Sequence, residues 1–575
     1  MAVAAASVLS LQPGVLGQAG PPELILHNGK IVTVDEDFTI VEAIAIDRGR
    51  IVAVGPNAGV RSLAGPQSRS VDLEGKTVLP GLIDSHTHPL GAAMYEFDHP
   101  VPDMETIPDV LEYFRRRTQA VPEGGWIRLQ QVFITRLREQ RYPTRAELDE
   151  VAPNHAVYFR TGPDASLNSL ALRLSGIDRE YRIPKGLLGR IERDGSGEPT
   201  GIVRSGAHLI AFRESQRRPT RDDERRRLRE LLAAYNKVGL TSIADRNASP
   251  SALELYEDLL EGGELTVRVF VSHAVNAQDS LEDIRATVAK LVRHPRHRRH
   301  PMLWLRGIKF FMDGGMLTGS AYMREPWGVS SVYSITDPTY RGLRFVPPGK
   351  AYAIARLALA SGLQPTAHCV GDGAVHALID AYEEINAEFS VREMRPSITH
   401  SNFMSPEAVR RMSEIGIVAD LQPAWLERDG ATLLKQFGEA RLAFFQPYRA
   451  LREAGVVVGG GSDHMQKIGG MRSINPYNPF FGMWITLVRQ PRWTDGVMQP
   501  EQRLTREEAI RLYTIDNAYI TFSETEKGSL EVGKLADLIV LDRDILECPV
   551  EDVKRIQVER TYLGGTLVYS AESGG

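Results

Sequence analysis

Short apolar runs separated by glycine-containing turns open and close the chain. Near the N-terminus the runs cover residues 24–26, 31–34, 43–46 and 51–54, and near the C-terminus they cover residues 538–541 and 558–562. Runs of this length between Asn-Gly and Gly-rich turns are typical of β-hairpins. We expect both chain ends to build one small β-sandwich domain, with a larger domain inserted between them.

In the centre of the chain, short β-rich runs alternate with helical stretches. Eight strands are predicted, at residues 77–83, 240–244, 266–271, 307–311, 364–367, 397–399, 417–421 and 456–459. Continuous Val/Ile/Leu runs are typical of parallel strands that are buried on both faces. The pattern predicts an α/β fold, a (β/α)₈ TIM barrel, with a doubly wound open sheet as the alternative.

Polar side chains at the strand ends favour the barrel. Five predicted strands carry a metal-competent side chain at or near their C-terminal end, and the full set is His86, His88, Lys309, His368, His400 and Asp463. In a barrel the chemistry collects at the C-terminal ends of several strands. His86 and His88 are two residues apart, so both point to the same side of a strand and are spaced to bind one ion.

Lys309 is the residue that a purely structural role explains least well. It lies between Ile308 and Phe310 on a predicted interior strand, where a lysine is rarely buried without a partner. A neutral, desolvated amine can react with carbon dioxide, and the carbamate has two oxygens that can bridge two cations. The alternatives are a salt bridge with Asp313, four residues further on, or an unusual exposure at the strand end.

The amino-acid composition limits which partners and which metal ligands the protein can have. The 68 basic and 73 acidic residues give a net charge of −5, so a nucleic-acid partner is not expected. Two cysteines, Cys369 and Cys548, are too few for a disulfide framework or a cysteine zinc site, so His and carboxylate must hold any metal. No apolar run reaches the ~18 residues that a bilayer span needs, so a soluble protein without a membrane partner is predicted.

The domain limits follow from these patterns. We expect a tail or signal remnant at residues 1–22, a composite β-domain from residues 23–76 and 526–571, and the barrel at residues 77–525. Residues 92–235 form a predicted inserted subdomain with a lid or substrate-binding role, because about 150 residues separate His88 from Leu240. A helix at Arg221–Lys237 returns the chain to strand two. The protein is predicted to be cytoplasmic, or exported if residues 1–19 are a signal peptide, although no Lys or Arg precedes their apolar stretch.

Several motifs resemble those of the amidohydrolase superfamily. Residues 78–88, Val-Leu-Pro-Gly-Leu-Ile-Asp-Ser-His-Thr-His, resemble its first-strand signature, and residues 533–541 resemble its closing segment. Residues 308–314, 367–372 and 461–463 are similar to the YtcJ-like group, which includes N-substituted formamide deformylases. The resemblance extends from Glu23 to about Tyr569. One departure lies at residues 162–166, where many relatives have an Asp-Gly-His stretch.

The resemblance implies a set of metal ligands. His86, His88 and Asp463 would hold one divalent ion, His368 and His400 a second, and carboxylated Lys309 would bridge them. Zinc is the first expectation for both ions, with manganese or iron as alternatives. Asp463 would also act as the general base.

These residues predict a hydrolase that cleaves an amide-type, non-peptide C–N bond of a small molecule with a metal-activated hydroxide. A deaminase or a lactonase on the same centre is the enzymatic alternative, and a non-catalytic scaffold is the remaining one. Trp425 and the aromatic residues of segment 475–484 could line a substrate pocket or pack a loop onto the barrel. The sequence does not assign substrate-binding residues, and it leaves a homodimer open.

Overall fold

An eight-stranded parallel sheet forms the centre of the molecule. The computed structural model describes residues 20–574 except residues 186, 188, 215 and 216, so the predicted signal segment 1–19 lies outside the described residues. Each strand pairs in parallel with the next one along the chain. The strands, which we number one to eight, are Leu82–Thr87, Leu240–Ala248, Arg268–Ala274, Leu303–Phe311, Gln364–Cys369, Ser397–His400, Val418–Leu421 and Val458–Gly460.

Contacts between strands one and eight close the sheet into a barrel. Just beyond strand eight, the Asp463 amide donates to the His86 carbonyl (2.8 Å) and the His88 amide donates to the His464 carbonyl (2.8 Å). Deeper in the barrel, Asn517 Nδ2 donates to the carbonyls of Ile83 (2.6 Å) and Gly460 (2.8 Å), one on each strand. The predicted TIM barrel is confirmed, and the open-sheet alternative is wrong.

The predicted first strand, residues 77–83, is two strands. Thr77–Pro80 pairs with Lys30–Val32 and Leu538–Leu541 in another sheet, and barrel strand one begins at Leu82. Gly81 joins them where the chain passes very close to strand two, since a Cβ on Gly81 would lie 2.2 Å from Thr241 Oγ1. An apolar run that is continuous in the sequence therefore divides at this glycine.

Helices cover the outside of the barrel. The helix Arg221–Lys237 has the predicted bounds and begins with a capping box between Thr220 and Asp223. The helices that follow strands two to eight are Pro250–Glu261, Leu281–Arg293, Pro348–Ala360, Asp372–Glu388, Pro406–Ile415, Ala424–Arg441, Tyr448–Glu453, Pro479–Val488, Arg506–Leu512 and Ile515–Ile520. None of the helices in the described ranges combines the length and apolarity needed to cross a bilayer.

The segment between strand one and helix Arg221–Lys237 has a sheet of its own. Its five strands are Trp126–Gln130, Ala156–Thr161, Asp164–Leu167, Arg190–Arg193 and Pro199–Arg204. The helices Pro89–Met94, Ile107–Arg117, Arg145–Val151 and Ser169–Leu174 accompany it. We refer to this segment as the insert.

Two further sheets combine the chain ends. A four-stranded sheet contains Leu24–His27, Ala43–Asp47, Arg50–Gly55 and Arg69–Asp72, with the short helix Asn57–Arg61 beside it. A six-stranded sheet contains Lys30–Val32, Ile40–Val41, Thr77–Pro80, Leu538–Leu541, Val558–Leu563 and Thr566–Ser570. Buried side chains of both sheets, among them Leu26 and Val540, form one apolar cluster. The two sheets thus pack face to face.

Candidate metal centre

Strands one and eight bring three metal-competent side chains together. His86 lies on strand one, His88 follows it directly, and Asp463 follows strand eight. Asp463 Oδ1 is 3.0 Å from His88 Nε2 and 3.4 Å from His86 Nε2. Within the described residues, these three side chains are the group whose ligand atoms all lie within 4.8 Å of one another.

The Nε2 atom of His86 is a buried polar atom without a hydrogen bond. His86 is fully buried, and its other ring nitrogen, Nδ1, lies 3.1 Å from Asp420 Oδ2. Buried polar atoms almost always have a partner, so an unpaired nitrogen beside a carboxylate requires an explanation. A divalent cation that accepts the Nε2 lone pair supplies one, and two imidazoles with a carboxylate are a known zinc ligand set. The residues present therefore fit a metal.

Strands five and six add two more histidines. The ring centroids of His368 and His400 are 4.4 Å apart, and those of His400 and His86 are 5.0 Å apart. Burial lowers the pKa of His368 to about 3 and holds that of His400 well below its ordinary value. Both rings are consequently neutral near pH 7, which is the form that binds metals.

Lys309 on strand four is 1% exposed and has no carboxylate within 4.0 Å among the described residues. The alternative salt bridge with Asp313 is wrong, because the Asp313 carboxylate accepts instead from the amides of Tyr322, Val370 and Gly371. Burial lowers the pKa of the Lys309 amine to about 8, against the opposing charges of Asp420 and Asp463. About one tenth of the amine is therefore neutral at pH 7, far more than for an ordinary lysine.

Two of these residues have backbone conformations that non-glycine residues seldom adopt. His400 has φ +75° and Asp463 has φ +54°, both in the left-handed region. Backbone hydrogen bonds anchor both positions, since the Ser401 amide beside His400 donates to the Cys369 carbonyl (3.0 Å) and the Asp463 amide donates to the His86 carbonyl (2.8 Å). Such conformations concentrate where a site fixes the direction of a side chain.

Asp463 is also held by a residue that sequence reasoning missed. Asn475 Nδ2 donates to the Asp463 carbonyl (2.7 Å) and to Asp463 Oδ2 (3.2 Å). Arg136 of the insert donates to Asn475 Oδ1 (2.9 Å) and makes two bonds to Asp429 (2.9 and 2.6 Å). The insert thereby contacts the loop that carries Asp463. No local sequence signal marks Asn475 or Arg136, because their roles depend on contacts between distant segments.

Aromatic side chains border the two histidines of strands five and six. Trp425 stacks on His400 at 4.8 Å between ring centroids, and Phe311 lies 4.9 Å from the His368 ring with 37% of its surface exposed. Trp425 is buried, and so are Phe481 and Trp484, which pack against each other on helix Pro479–Val488. Packing therefore explains Phe481 and Trp484, whereas Trp425 packs directly on a proposed ligand and Phe311 offers exposed aromatic surface beside another.

Comparison with known proteins agrees with this arrangement. The sequence profile described as "Amidohydrolase family" matches residues 69–569. The chain belongs to the amidohydrolase family. It is 31% identical over 566 residues to an N-substituted formamide deformylase of Arthrobacter pascens, covering 95% of this chain and 98% of that protein. It is 24% identical over 567 residues to the YtcJ protein of Bacillus subtilis (strain 168), covering 95% and 99%.

The fold also has counterparts among solved structures. A metal-dependent hydrolase from Pyrococcus furiosus superposes with a TM-score of 0.66 at 23% sequence identity, covering 91% of this chain and all of that one. The family and its deformylase relative make this chain a hydrolase that acts on C–N bonds, and the family indicates a divalent metal. The expected family, fold class and enzyme class are confirmed.

Proposed function

We propose that this amidohydrolase cleaves an amide-type, non-peptide C–N bond with two divalent ions held by six side chains. The observations that carry the proposal are the grouping of His86, His88 and Asp463, the closeness of the His400 ring to the rings of His86 and His368, and the unpaired Nε2 of His86. His86, His88 and Asp463 would hold one ion, and His368 and His400 the other. Zinc suits this nitrogen-rich set best, and manganese or iron are the alternatives.

Lys309 would bridge the ions as a carbamate. Its neutral amine would attack the carbon of CO₂, so that a C–N bond forms while one C=O π bond breaks and its electron pair moves to oxygen. The nitrogen would release one proton to solvent. The product carries a negative charge and two oxygen ligands on a side chain that otherwise has no anionic partner within 4.0 Å among the described residues. This converts a costly buried amine into a ligand.

Asp463 would move the proton during hydrolysis. Bound divalent ions supply a Lewis acid for the substrate carbonyl and lower the pKa of water to about 7. The Asp463 carboxylate, positioned by Asn475, takes a proton from the attacking water and returns it to the leaving nitrogen. Asn475 also donates to the backbone carbonyl of Asp463, which fixes the backbone from which this carboxylate extends.

The surroundings of the histidines favour an apolar group on the substrate nitrogen. Phe311 is partly exposed beside His368, and the buried Trp425 stacks on His400. A cavity of about 220 Å³ lies between the insert and the loop after strand eight. Its lining mixes apolar side chains such as Phe133 with charged ones such as Arg136 and Lys467, and it includes none of the six proposed ligands. We propose that the insert forms one wall of the substrate entrance. The deformylase relative suggests N-substituted formamides with an alkyl or aryl substituent as the substrate class.

A substrate panel tests this function. Purified protein loaded with zinc is assayed for formate and amine release from N-alkyl and N-aryl formamides, with matching acetamides, an amino-substituted heterocycle and a lactone alongside. We expect C–N cleavage of the formamides, with kcat/KM rising as the N-substituent becomes larger and more apolar. Ammonia release from the heterocycle alone, or ring opening of the lactone alone, would contradict the proposal.

A further inference from the structure

A hydrogen-bond chain runs along strand seven beside the proposed centre. Asp420 Oδ2 lies 3.1 Å from His86 Nδ1, and Asp420 Oδ1 accepts from Gln422 Nε2 at 2.9 Å. Gln422 Oε1 lies 2.7 Å from His400 Nδ1. One continuous chain therefore joins the ring nitrogens of His86 and His400 that face away from the candidate metal.

Strand seven is placed to make this connection. Asp420 and Gln422 are two residues apart, so both side chains lie on the same side of the strand end. Both are fully buried, and Ser85 Oγ donates a further bond to Asp420 Oδ1 at 3.0 Å. Arg246, fully buried 4.0 Å from Asp420, favours the anionic carboxylate. Neither strand-seven residue is among the six proposed ligands.

The chemistry of the chain fixes where its protons lie. A carboxylate only accepts hydrogen bonds, so His86 carries its proton on Nδ1 and Gln422 directs its NH₂ group toward Asp420. The Gln422 carbonyl then faces His400, which must also carry its proton on Nδ1. Both rings are left with an unprotonated Nε2, the atom that a metal would bind.

We propose that Asp420 and Gln422 are positioning residues that set the tautomers of His86 and His400 and so couple the two halves of the metal centre. This inference rests on the proposed metal-dependent function. Groups that fix the orientation of ligating histidines typically change metal affinity by about 10–100-fold when they are removed. The hydrogen-bond chain therefore predicts that substitution of Asp420 or Gln422 weakens metal binding, although neither residue is a proposed ligand.

Substitution of Asp420 tests the first link. Asp420→Asn keeps the side-chain shape but offers one oxygen where two are needed. If that oxygen accepts from Gln422 and Ser85, the amide NH₂ faces His86 and requires its opposite tautomer. If the oxygen accepts from His86 instead, the hydrogen bond from Gln422 is lost. We expect the affinity for Zn²⁺, measured by calorimetric titration of the metal-free protein, to fall by about 10–100-fold.

Substitution of Gln422 tests the His400 end of the hydrogen-bond chain separately from the His86 end. Gln422→Met removes the hydrogen bonds to Asp420 and to His400. We expect the affinity for the ion assigned to His368 and His400 to fall by about 10–100-fold, which would leave about one tightly bound zinc per polypeptide. Gln422→Glu restores an acceptor for His400 Nδ1 and should recover part of the lost affinity. Recovery by glutamate would not follow from a merely structural role.

The control is Ser397→Ala, which removes a buried hydroxyl that lacks a hydrogen bond in the described structure, on strand six near His400. It should bind zinc like the parent, and thermal melting of every metal-free variant reports folding separately. If Asp420→Asn and Gln422→Met bind zinc within about threefold of the parent affinity, this inference is overturned but the proposed function is not. A folded parent protein that binds no divalent metal would overturn the proposed function as well.

Discussion

Replacing Asp463 with asparagine is expected to lower kcat by at least ~10²-fold, the usual range for the loss of a general acid or base. The substitution keeps the side-chain shape and an oxygen that can accept from Asn475 Nδ2, but it removes the carboxylate that accepts the proton of the attacking water. Turnover is measured on the best formamide of the panel, and zinc content is determined on the same sample. The expected result is a slow enzyme that retains part of its metal.

Asp516→Asn is the matched control for that substitution. Asp516 is a carboxylate that pairs with Arg452 on the helical side of the barrel and contacts none of the proposed ligands in the described structure. Its replacement should leave kcat unchanged. If Asp463→Asn keeps both its metal and full turnover, the assigned role is wrong. If metal and turnover are lost together, the acidic limb of the parent pH–rate profile identifies the proton acceptor.

Replacing Lys309 with methionine is expected to abolish the bridge and to lower kcat/KM by at least ~10²-fold, since Lewis-acid stabilisation is worth several kcal/mol and each 1.36 kcal/mol is tenfold in rate. Methionine fills the space of the buried stem without an amine. Lys309→Ala leaves that space open, so added acetate should restore part of the activity there and none in Lys309→Met. Comparison of Lys309→Ala with Lys309→Met therefore distinguishes the loss of a metal ligand from a disturbance of core packing.

The carbamate itself has a direct signature. Parent protein reconstituted with zinc in ¹³C-labelled bicarbonate should show one carbamate carbonyl resonance that is absent from Lys309→Met. A parent spectrum without that resonance, combined with full metal content and turnover in Lys309→Met, would contradict the bridging role. The neutral amine required for this reaction is available because burial lowers the pKa of Lys309 to about 8.

Much of the barrel could be predicted because its strands are locally distinct. Buried parallel strands are short apolar runs, and polar residues at the ends of five of them marked the candidate ligands. The boundary error at residues 77–83 arose because Gly81 divides one apolar run between two sheets. That division depends on the approach of strand two to Gly81, which the local sequence does not reveal.

The six proposed ligands could be found from the sequence, whereas the residues that orient them could not. Asp420 is 334 positions from His86, and Arg136 is 339 positions from Asn475, so their pairing is a property of the tertiary fold. One signal was available, since Asp420 and Gln422 alternate at the end of predicted strand seven as His86 and His88 do on strand one. Its meaning required the distances to the histidine rings.

The metal content of the purified protein tests the central claim most directly. The protein is stripped with a chelator, reconstituted with zinc, freed of unbound metal and submitted to elemental analysis against protein concentration. Six ligand-type side chains at five strand ends predict about two zinc ions per chain. A correctly folded chain that retains no metal after reconstitution would contradict the account.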